Sequence, residues 1–347
     1  MTTHGLRMPA ETAVHERTVM CWPCRPQIYP GALMAEAKAA HAEVARTIAG
    51  FEPVTMIAPP GDGADAAERC GGQVGVVELA IDDSWFRDTG PIYVIDGDGT
   101  RVALDFEFNS WGAKFTPFDA DMTIARRWAA HAGHPLRSVA MVLEGGAIAV
   151  DGDGTLITTE QCLLHPNRNP ALTRVEVEAV LGRELGVTTV VWLPFGLALD
   201  DDTDGHVDNV AAFARPGTLL VQGCADEGED DWLRCNVNAR SARGAPDAAG
   251  RALDVIDVPV LPYREVEGVR VAVPYLNYYV VNGGVIVPVC GHDADDEMLA
   301  IIAAEHPGRD VVGVDVGAIL AYGGGGIHCI TQQVPAARSP DSGTVRL

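Results

Sequence analysis

The chain has 347 residues, 47% of them hydrophobic, and carries 48 acidic against 25 basic side chains, a formal net charge of −23. This charge argues against nucleic acid or an anionic membrane surface as partner. It would attract a small cationic ligand, although many proteins are acidic merely for solubility. No uninterrupted apolar run reaches about eighteen residues, so we expect no membrane span. The first residues lack a secretory signal pattern, from which we expect a cytoplasmic protein. The eight cysteines are spread through the chain, so we expect most of them to be reduced core thiols and predict no disulfide framework.

Four predicted hairpins follow one another along the chain. Each is a short apolar run, a glycine-containing turn and a second apolar run. Their sequences are YVIDGDGTRVAL (93–104), IAVDGDGTLITT (148–159), AAFARPGTLLVQG (211–223) and YVVNGGVIVPV (279–289). The turn centres are 55 to 67 residues apart, a spacing that suits a small repeated module and is too long for a common solenoid.

Helical patterns and single apolar runs alternate with these hairpins. The spacing of apolar residues predicts helices over 32–50, 120–133, 171–186 and 296–308, with a weaker one near 229–252. A β-rich run follows each helix, at 53–60, 136–146, 188–194, 252–260 and 309–316. The order hairpin, helix, strand therefore recurs as a ββαβ unit.

The architecture that follows is a ring. The N-terminal RTVMCWP (17–23), together with the closing C-terminal segment, can complete a fifth unit. Five units that bury one face against their neighbours would close into an α/β five-bladed ββαβ propeller with pseudo-fivefold symmetry and a central active site. No Pro- or Ser-rich linker divides the chain, so we predict one domain over 1–347, with CADEGEDDW (224–232) as a surface loop.

Chemically capable side chains occur at strand ends or turns of different units. The segments are DDSWFRDTGP with Trp85 and Asp88, LEGGAI with Glu144, DGHVDN with His206 and Asp208, NYYVVNGG with Asn277 and Asn282, and GGGGIHC with His328 and Cys329. On an extended strand, His206 and Asp208 would share one face while Val207 points into the core. The glycine run before Cys329 can expose a thiol at a tight bend, which favours a nucleophile there.

Other interpretations of these residues remain open. His206, Asp208, Glu144, His328 and Cys329 include every common zinc ligand type, although no HExxH motif or paired CxxC set accompanies them. The CWPC segment at 21–24 is a lone CxxC without a following helix, which weakens a redox role. A buried His beside an Asp can also be purely structural, and alternation predicts that His328 points away from Cys329.

The ordered segments WFRDTGP, EGG, GHVDN, YYVVNGG and GGGGIHCITQQ make the chain resemble the agmatine deiminases of the peptidylarginine deiminase family, within the guanidine-modifying superfamily. The resemblance runs from residue 8 to residue 335. It implies the five-bladed ββαβ propeller called a pentein, no cofactor, no metal and a possible homo-oligomer. Three features depart from the family pattern: Gly326 in place of Asn, Ala13 in place of an aromatic residue, and WPCRPQIYPG (22–31), which includes Gln27.

The resemblance also implies roles for individual residues. Cys329 matches the nucleophile, His206 the general acid and base, and Glu144 the carboxylate beside the histidine. Asp88 and Asp208 match the carboxylates that hold the guanidinium, and Trp85 matches the wall of the substrate site. Paired carboxylates suit a planar guanidinium because they accept bidentate, charge-assisted hydrogen bonds.

A second cationic end of the substrate would need further acceptors. The segment ALDDDTDGH supplies Asp202 and Asp204, which could meet an amine, and Gly325 lies in the glycine run that leaves room for a flat guanidinium. We therefore expect conversion of agmatine and water to N-carbamoylputrescine and ammonia through a covalent Cys thiouronium intermediate. The alternatives are the same chemistry on a different guanidine compound, a zinc hydrolase and a non-catalytic polyamine-binding protein.

Overall fold

A computed structural model describes residues 5–337, and the four residues before and ten residues after this range of the predicted 1–347 domain lie outside the description. The strands are β1 (His15–Cys21), β2 (Val54–Ala58), β3 (Val74–Glu78), β4 (Ile92–Ile95), β5 (Arg101–Glu107), β6 (Leu136–Val142), β7 (Ile148–Val150), β8 (Thr155–Thr159), β9 (Thr189–Leu193), β10 (Ala211–Arg215), β11 (Thr218–Gln222), β12 (Asp254–Val258), β13 (Tyr263–Val266), β14 (Val269–Ala272), β15 (Tyr279–Val281), β16 (Gly284–Val289), β17 (Asp310–Asp315) and β18 (Thr331–Pro335). The helices are α1 (Leu33–Ala49), α2 (Gly63–Cys70), α3 (Phe86–Thr89), α4 (Ser110–Ala113), α5 (Asp121–Ala132), α6 (Glu160–Leu163), α7 (Arg174–Leu185), α8 (Asp230–Arg243), α9 (Asp295–Glu305) and α10 (Gly317–Tyr322), with 3-10 helices at Gly145–Ala147 and Val207–Asn209.

Four three-stranded sheets have the same topology. In each, a hairpin of two antiparallel strands is followed by a helix, and the strand after the helix pairs in parallel with the second hairpin strand. The sheets are β4-β5-β6, β7-β8-β9, β10-β11-β12 and β15-β16-β17. The crossover helices are α5, α7, α8 and α9. The predicted ββαβ unit is therefore confirmed four times.

The fifth sheet joins the two ends of the described chain. Strand β18 pairs antiparallel with β1, and β1 pairs in parallel with β2, which follows helix α1. This sheet carries one additional parallel strand, β3, after α2. The last strand of the described residues thus supplies the hairpin partner that the N-terminal unit lacks.

The predicted helices lie close to the observed ones. The prediction 32–50 corresponds to α1, 120–133 to α5, 171–186 to α7, and 296–308 to α9. The weaker prediction at 229–252 was too long, because α8 ends at Arg243. Helix α8 also begins inside the segment 224–232 that was predicted to be a loop, since Asp230 and Asp231 supply the acidic first turn that a helix N-terminus favours.

The interior is built from the apolar faces of the sheets and helices. Strands β8, β11 and β18 are buried along their whole length, and so is β2. Helix α1 buries one stripe that includes Leu33, Val44 and Ile48. Among residues 5–337, no helix combines the length and the apolarity needed to cross a bilayer.

Candidate active site

The predicted site residues occupy one equivalent position in the repeated units. Each lies before the first strand of a hairpin, in a loop, a turn or a short helix rather than in a strand. The positions are Asp88 before β4, Glu144 before β7, His206 and Asp208 before β10, Asn277 before β15, and Cys329 before β18. The structure brings these turns together, so that side chains far apart in sequence contact one another.

The thiol of Cys329 belongs to this cluster and is buried. Its Sγ donates a hydrogen bond to Asp208 Oδ2 at 3.3 Å and accepts one from Asn277 Nδ2 at 3.1 Å. The Cys329 N–H donates to Asn277 Oδ1 at 3.3 Å, so one amide side chain holds both ends of the residue. Burial, together with the negative charges of Asp208 and Asp88, raises the pKa of the thiol well above its usual value.

The carboxyl group of Asp88 is fixed by two neutral donors. Trp111 Nε1 donates to Oδ2 at 3.0 Å, and the Gly146 N–H donates to Oδ1 at 2.9 Å. The backbone of Trp111 is in the left-handed region with φ of 52°, a costly conformation that keeps its indole directed at Asp88. Burial, with the nearby charges of Asp208 and Glu144, raises the pKa of Asp88 to about 8.

The second carboxyl group, Asp208, has a cationic partner. His328 Nδ1 lies 2.9 Å from Asp208 Oδ2, the oxygen that also accepts from the Cys329 thiol. Burial by itself would raise the pKa of Asp208, but the hydrogen bond and the charge of His328 outweigh it and the pKa is lowered. The two carboxyl groups therefore differ in protonation near neutral pH: Asp208 is ionised and Asp88 is largely protonated.

His206 lies between two acids. Its Nδ1 is 3.7 Å from Asp88 Oδ2, and its Nε2 is 4.0 Å from Glu144 Oε2. Complete burial lowers the pKa of the imidazole to about 3, against the attraction of Asp208, so the ring is neutral. Arg168 Nε donates to Glu144 Oε1 at 2.6 Å. Burial nevertheless raises the pKa of Glu144, although the Arg168 charge opposes the shift.

Two glycines permit this close packing. A Cβ at Gly146 would lie 2.6 Å from His206 Nδ1, 2.9 Å from Asp208 Oδ2 and 3.0 Å from Asp88 Oδ1. A Cβ at Gly325 would lie 2.7 Å from Trp85 Cζ3 and 3.0 Å from Cys329 Sγ. Real Cβ atoms essentially never approach other atoms more closely than 3.0 Å. Glycine at position 146 therefore lets His206, Asp208 and Asp88 lie close together, and glycine at position 325 lets Trp85 lie close to Cys329.

Two local predictions were wrong. The segment 206–208 is not an extended strand, because residues 207–209 form a 3-10 helix; Val207 is nevertheless buried, and both polar neighbours surround Gly146. His328 does not point away from the site: residues 327–330 form a turn, in which strand alternation does not apply. Its imidazole contacts Asp208 instead.

His328 belongs to a chain of charged groups that reaches the N-terminal segment. Its Nε2 lies 2.7 Å from Glu11 Oε1, which is 3.5 Å from Arg87 Nη1. Burial and Arg87 would lower the pKa of His328, yet Glu11 and Asp208 raise it. The order of charges is therefore Arg87, Glu11, His328 and Asp208, alternating in sign. Sequence reasoning missed Glu11, because nothing in the local pattern connects it with a residue 317 positions later.

A narrow cavity leads to the thiol. Its lining residues are Ile28, Trp85, Asp88, Trp111, Phe115, Asp202, Thr203, Gly323, Gly324 and Cys329. Trp85 and Asp202, which were predicted to contact the substrate, are thus among the residues that line this cavity. The departures Ala13 and Gln27 are not among these residues; Gln27 lines a separate open pocket with Cys24 and Pro117. A Cβ at Gly326 would lie 2.4 Å from Asn277 Oδ1, so the glycine there accommodates the amide that holds Cys329.

Asp204, which was predicted to contact the substrate, is bound by side chains of the protein. Its Oδ2 accepts from Asn167 Nδ2 and Arg168 Nη1, and its Oδ1 lies 2.7 Å from Lys114 Nζ. Burial opposes the shift, but these three donors lower the pKa of Asp204 to about 2. Both oxygens are thereby engaged within the protein, and Asp204 orients the arginine that binds Glu144.

The Cys329 thiol and the carboxyl group of Asp88 line a narrow cavity, and Asp208 and the buried imidazole of His206 lie beside them. Residues 7–335 match the model of a family described as the Porphyromonas-type peptidyl-arginine deiminases. The chain belongs to this family. Its relatives include an agmatine deiminase of Pseudomonas aeruginosa (strain UCBPP-PA14), 42% identical over 358 residues that cover 96% of each chain. The predicted membership is confirmed.

Solved structures agree with this assignment. Agmatine deiminase of Enterococcus faecalis superposes with a TM-score of 0.90 at 32% identity, over 95% of this chain and 96% of that one. A C. jejuni agmatine deiminase with substrate bound superposes with a TM-score of 0.87 at 25% identity, over 96% and 97%. The fold is that of these α/β enzymes, and the prediction of a hydrolase acting on C–N bonds of linear amidines is confirmed.

Proposed function

We propose that the protein is an agmatine deiminase, which hydrolyses agmatine to N-carbamoylputrescine and ammonia. The observation that carries the proposal is the contact between the Cys329 thiol and Asp208, next to a cavity that Cys329 and Asp88 both line. The relatives named agmatine deiminase support the choice of substrate. In this proposal Trp85, Trp111 and Gly325 form the walls of the guanidinium site.

The guanidinium would bind between the two carboxylates. Asp88 and Asp208 accept its N–H donors in paired hydrogen bonds, which keep the guanidinium plane fixed and present its carbon to Sγ. The geometry already favours this state, because Trp111 and the Gly146 N–H hold Asp88, and His328 holds Asp208. Substrate then needs to reorient few groups when it binds.

Substrate binding would also change the charge of the site. Without a cation, burial keeps the thiol of Cys329 protonated and raises the pKa of Asp88 to about 8. A guanidinium brings one positive charge into the same buried volume, which favours both the Asp88 carboxylate and the Cys329 thiolate. The substrate therefore promotes formation of the nucleophile that attacks it.

The covalent chemistry follows in two halves. Thiolate Sγ adds to the guanidinium carbon, and the neutral His206, having accepted the thiol proton, returns it to the departing amino group, which leaves as ammonia. The C–N bond is broken and a thiouronium adduct remains. Water then gives a proton to His206, and its oxygen adds to the carbon. When the C–S bond breaks, the hydroxyl proton of the adduct restores the Cys329 thiol, N-carbamoylputrescine is released, and the proton on His206 passes to solvent. Glu144, held by Arg168, supports the protonated imidazole in each half.

The amine at the far end of agmatine would meet Asp202. Its carboxylate lines the same cavity as Cys329, and Gly324 approaches it so closely that a Cβ there would lie 2.7 Å from Asp202 Oδ2. Burial raises the pKa of Asp202, although Lys114 opposes the shift. A bound ammonium would stabilise the ionised form. Asp204 acts through Lys114 and Arg168 in this assignment, and contacts no substrate atom.

For the architecture, we infer that the four three-stranded sheets and the sheet β18-β1-β2-β3 are the blades of one closed ring with pseudo-fivefold symmetry, the predicted pentein; the two-stranded sheet β13-β14 is an addition to it. The inference is supported by the shared topology of four sheets, by the pairing of β1 with β18, and by the equivalent position of the site residues before each hairpin. Closure by the first and last strands would place the whole described chain in a single domain.

Ammonia release from a panel of agmatine, arginine and a peptidyl arginine tests the proposed activity. We expect turnover with agmatine, loss of turnover by about a thousandfold or more in Cys329→Ser, and unchanged turnover in the control Cys290→Ser, whose thiol lies outside the cavity. Agmatine should also protect Cys329 from iodoacetamide. Preference for another guanidine would redirect the substrate assignment, and full activity in Cys329→Ser would refute the mechanism.

A further inference from the structure

Three potential metal ligands meet beside the imidazole of His206. Glu144, Cys162 and His206 each provide one ligand atom, and the three atoms all lie within 4.8 Å of one another. All three side chains are completely buried. Cys162 belongs to helix α6 and has no part in the proposed hydrolysis, so its position next to the acid and the imidazole calls for a separate explanation.

Three polar atoms of this cluster lack a hydrogen-bond partner among the described residues. Throughout the described range 5–337, neither Glu144 Oε2 nor either ring nitrogen of His206 has a hydrogen-bond partner. Oε2 and Nε2 are 4.0 Å apart, too far for a hydrogen bond between them. Buried polar atoms normally have hydrogen-bond partners. A cation bound by lone pairs of Glu144 Oε2 and His206 Nε2 would satisfy both atoms.

The donor set and the spacing suit zinc. A thiolate, an imidazole nitrogen and a carboxylate oxygen are the usual zinc ligands, whereas magnesium and calcium prefer oxygen alone. Bond lengths of about 2.0 to 2.3 Å around a tetrahedral centre separate ligand atoms by about 3.5 Å. The observed separation is 4.0 Å between Glu144 Oε2 and His206 Nε2 and no more than 4.8 Å for any pair, so the ligands must approach one another when the metal binds. Arg168 binds Glu144 Oε1 and leaves Oε2 directed at the cluster, an outer contact of the kind that orients metal ligands.

We propose that Glu144, Cys162 and His206 form a Zn²⁺ site whose occupation inhibits the enzyme. On binding, the S–H bond of Cys162 breaks, its proton passes to solvent, and a Zn–S bond forms without any redox change. The metal engages the imidazole and the carboxylate needed for proton transfer, while Cys329 stays outside the coordination sphere. The inhibitory part rests on the proposed hydrolysis; the binding part does not.

Metal binding is tested without turnover. The protein, without an affinity tag, carries Cys329→Ala and is titrated with Co²⁺, which gives near-ultraviolet absorption when bound to a thiolate. We expect one equivalent to produce this absorption, and the double variant Cys329→Ala/Cys162→Ala to lose it. Absorption that survives in the double variant would overturn the proposal, and so would a lack of absorption in both proteins.

Inhibition is tested on the protein with Cys329 intact. Zn²⁺ should suppress ammonia release and Mg²⁺ should not. Cys162→Ala should keep the turnover that the wild type shows without metal, but the Zn²⁺ concentration for half inhibition should rise by about tenfold or more. Cys290→Ala is the matched control and should keep the wild-type sensitivity. Equal sensitivity of Cys162→Ala would refute the site. If Cys162→Ala unfolds at a lower temperature, Cys162→Ser replaces it, because a hydroxyl preserves the volume but is a poor zinc ligand.

Discussion

Replacing Gly325 with alanine tests how closely the site is packed. The added Cβ would lie 2.7 Å from Trp85 Cζ3, 2.9 Å from Cys329 Cβ and 3.0 Å from Cys329 Sγ. Ordinary van der Waals contact begins at 3.4 Å, so the indole must move by about 0.7 Å and the sulfur by about 0.4 Å. Neither neighbour is free to yield, since Trp85 is buried and Asn277 holds both ends of Cys329.

The magnitude follows from these displacements. Overpacking of a buried site costs about 1 to 3 kcal/mol of folding free energy, which lowers the melting temperature by a few degrees. A misplacement of about 1 Å at a reacting atom costs about a hundredfold in rate. For the smaller displacement of Sγ we therefore expect kcat to fall about 10- to 100-fold, equivalent to about 1.4 to 2.7 kcal/mol of barrier.

The assay is steady-state ammonia release from agmatine, with thermal unfolding measured on the same samples. Gly72→Ala is the matched control, because a Cβ at Gly72 meets nothing within 4 Å and its backbone lies outside the left-handed region. It should leave kcat unchanged and stability within about 0.5 kcal/mol. If Gly325→Ala kept kcat within about twofold of wild type, Sγ would not be positioned by this packing and the steric reasoning would be refuted.

Three further predictions concern the charges around the thiol. Because burial and two neighbouring acids raise the pKa of Asp88 to about 8, kcat/KM for agmatine should rise about tenfold per pH unit up to about pH 8 and then level; a flat profile between pH 6 and 8 would contradict this. Asp202→Asn should raise KM for agmatine about tenfold or more with little loss of kcat, whereas the exposed Asp201→Asn should change neither; equal effects would remove Asp202 from the amine site. His328→Gln should lower kcat/KM about 10- to 100-fold and move its pH profile, since the carboxylate of Asp208 loses a charge-assisted hydrogen bond; an unmoved profile would reduce His328 to packing.

Much of the fold could be predicted because it is encoded locally. The hairpins at 93–104 and 279–289 carry glycine turns between apolar runs, and their strands form where those runs lie. Helix α7 has its start in the sequence as well, where Thr173 and Glu176 make a reciprocal capping box, and its end at the left-handed Gly186. Such signals depend on a few neighbouring residues, so a single sequence contains them.

The candidate site was predicted only in part. Motif resemblance indicated Cys329, His206 and the acids, since each stands in a distinctive short segment. Arg168 and Glu11 carried no such signal, and the partner of each lies on another segment: Arg168 binds Glu144, and Glu11 binds His328. Strand alternation also failed for residues 206–208 and 328, because both segments turn before their strands begin.

The sequence by itself determined the composition of the candidate site, namely a thiol, an imidazole and several carboxyl groups, together with the units that carry them. Only the tertiary structure decided the state of these groups. Two buried aspartates acquire opposite pKa shifts, because Asp88 lies among neutral donors and other acids, whereas Asp208 is hydrogen-bonded to His328. Charge interactions in a buried volume depend on distances of a few ångströms between residues far apart in the chain, and no local pattern specifies those distances.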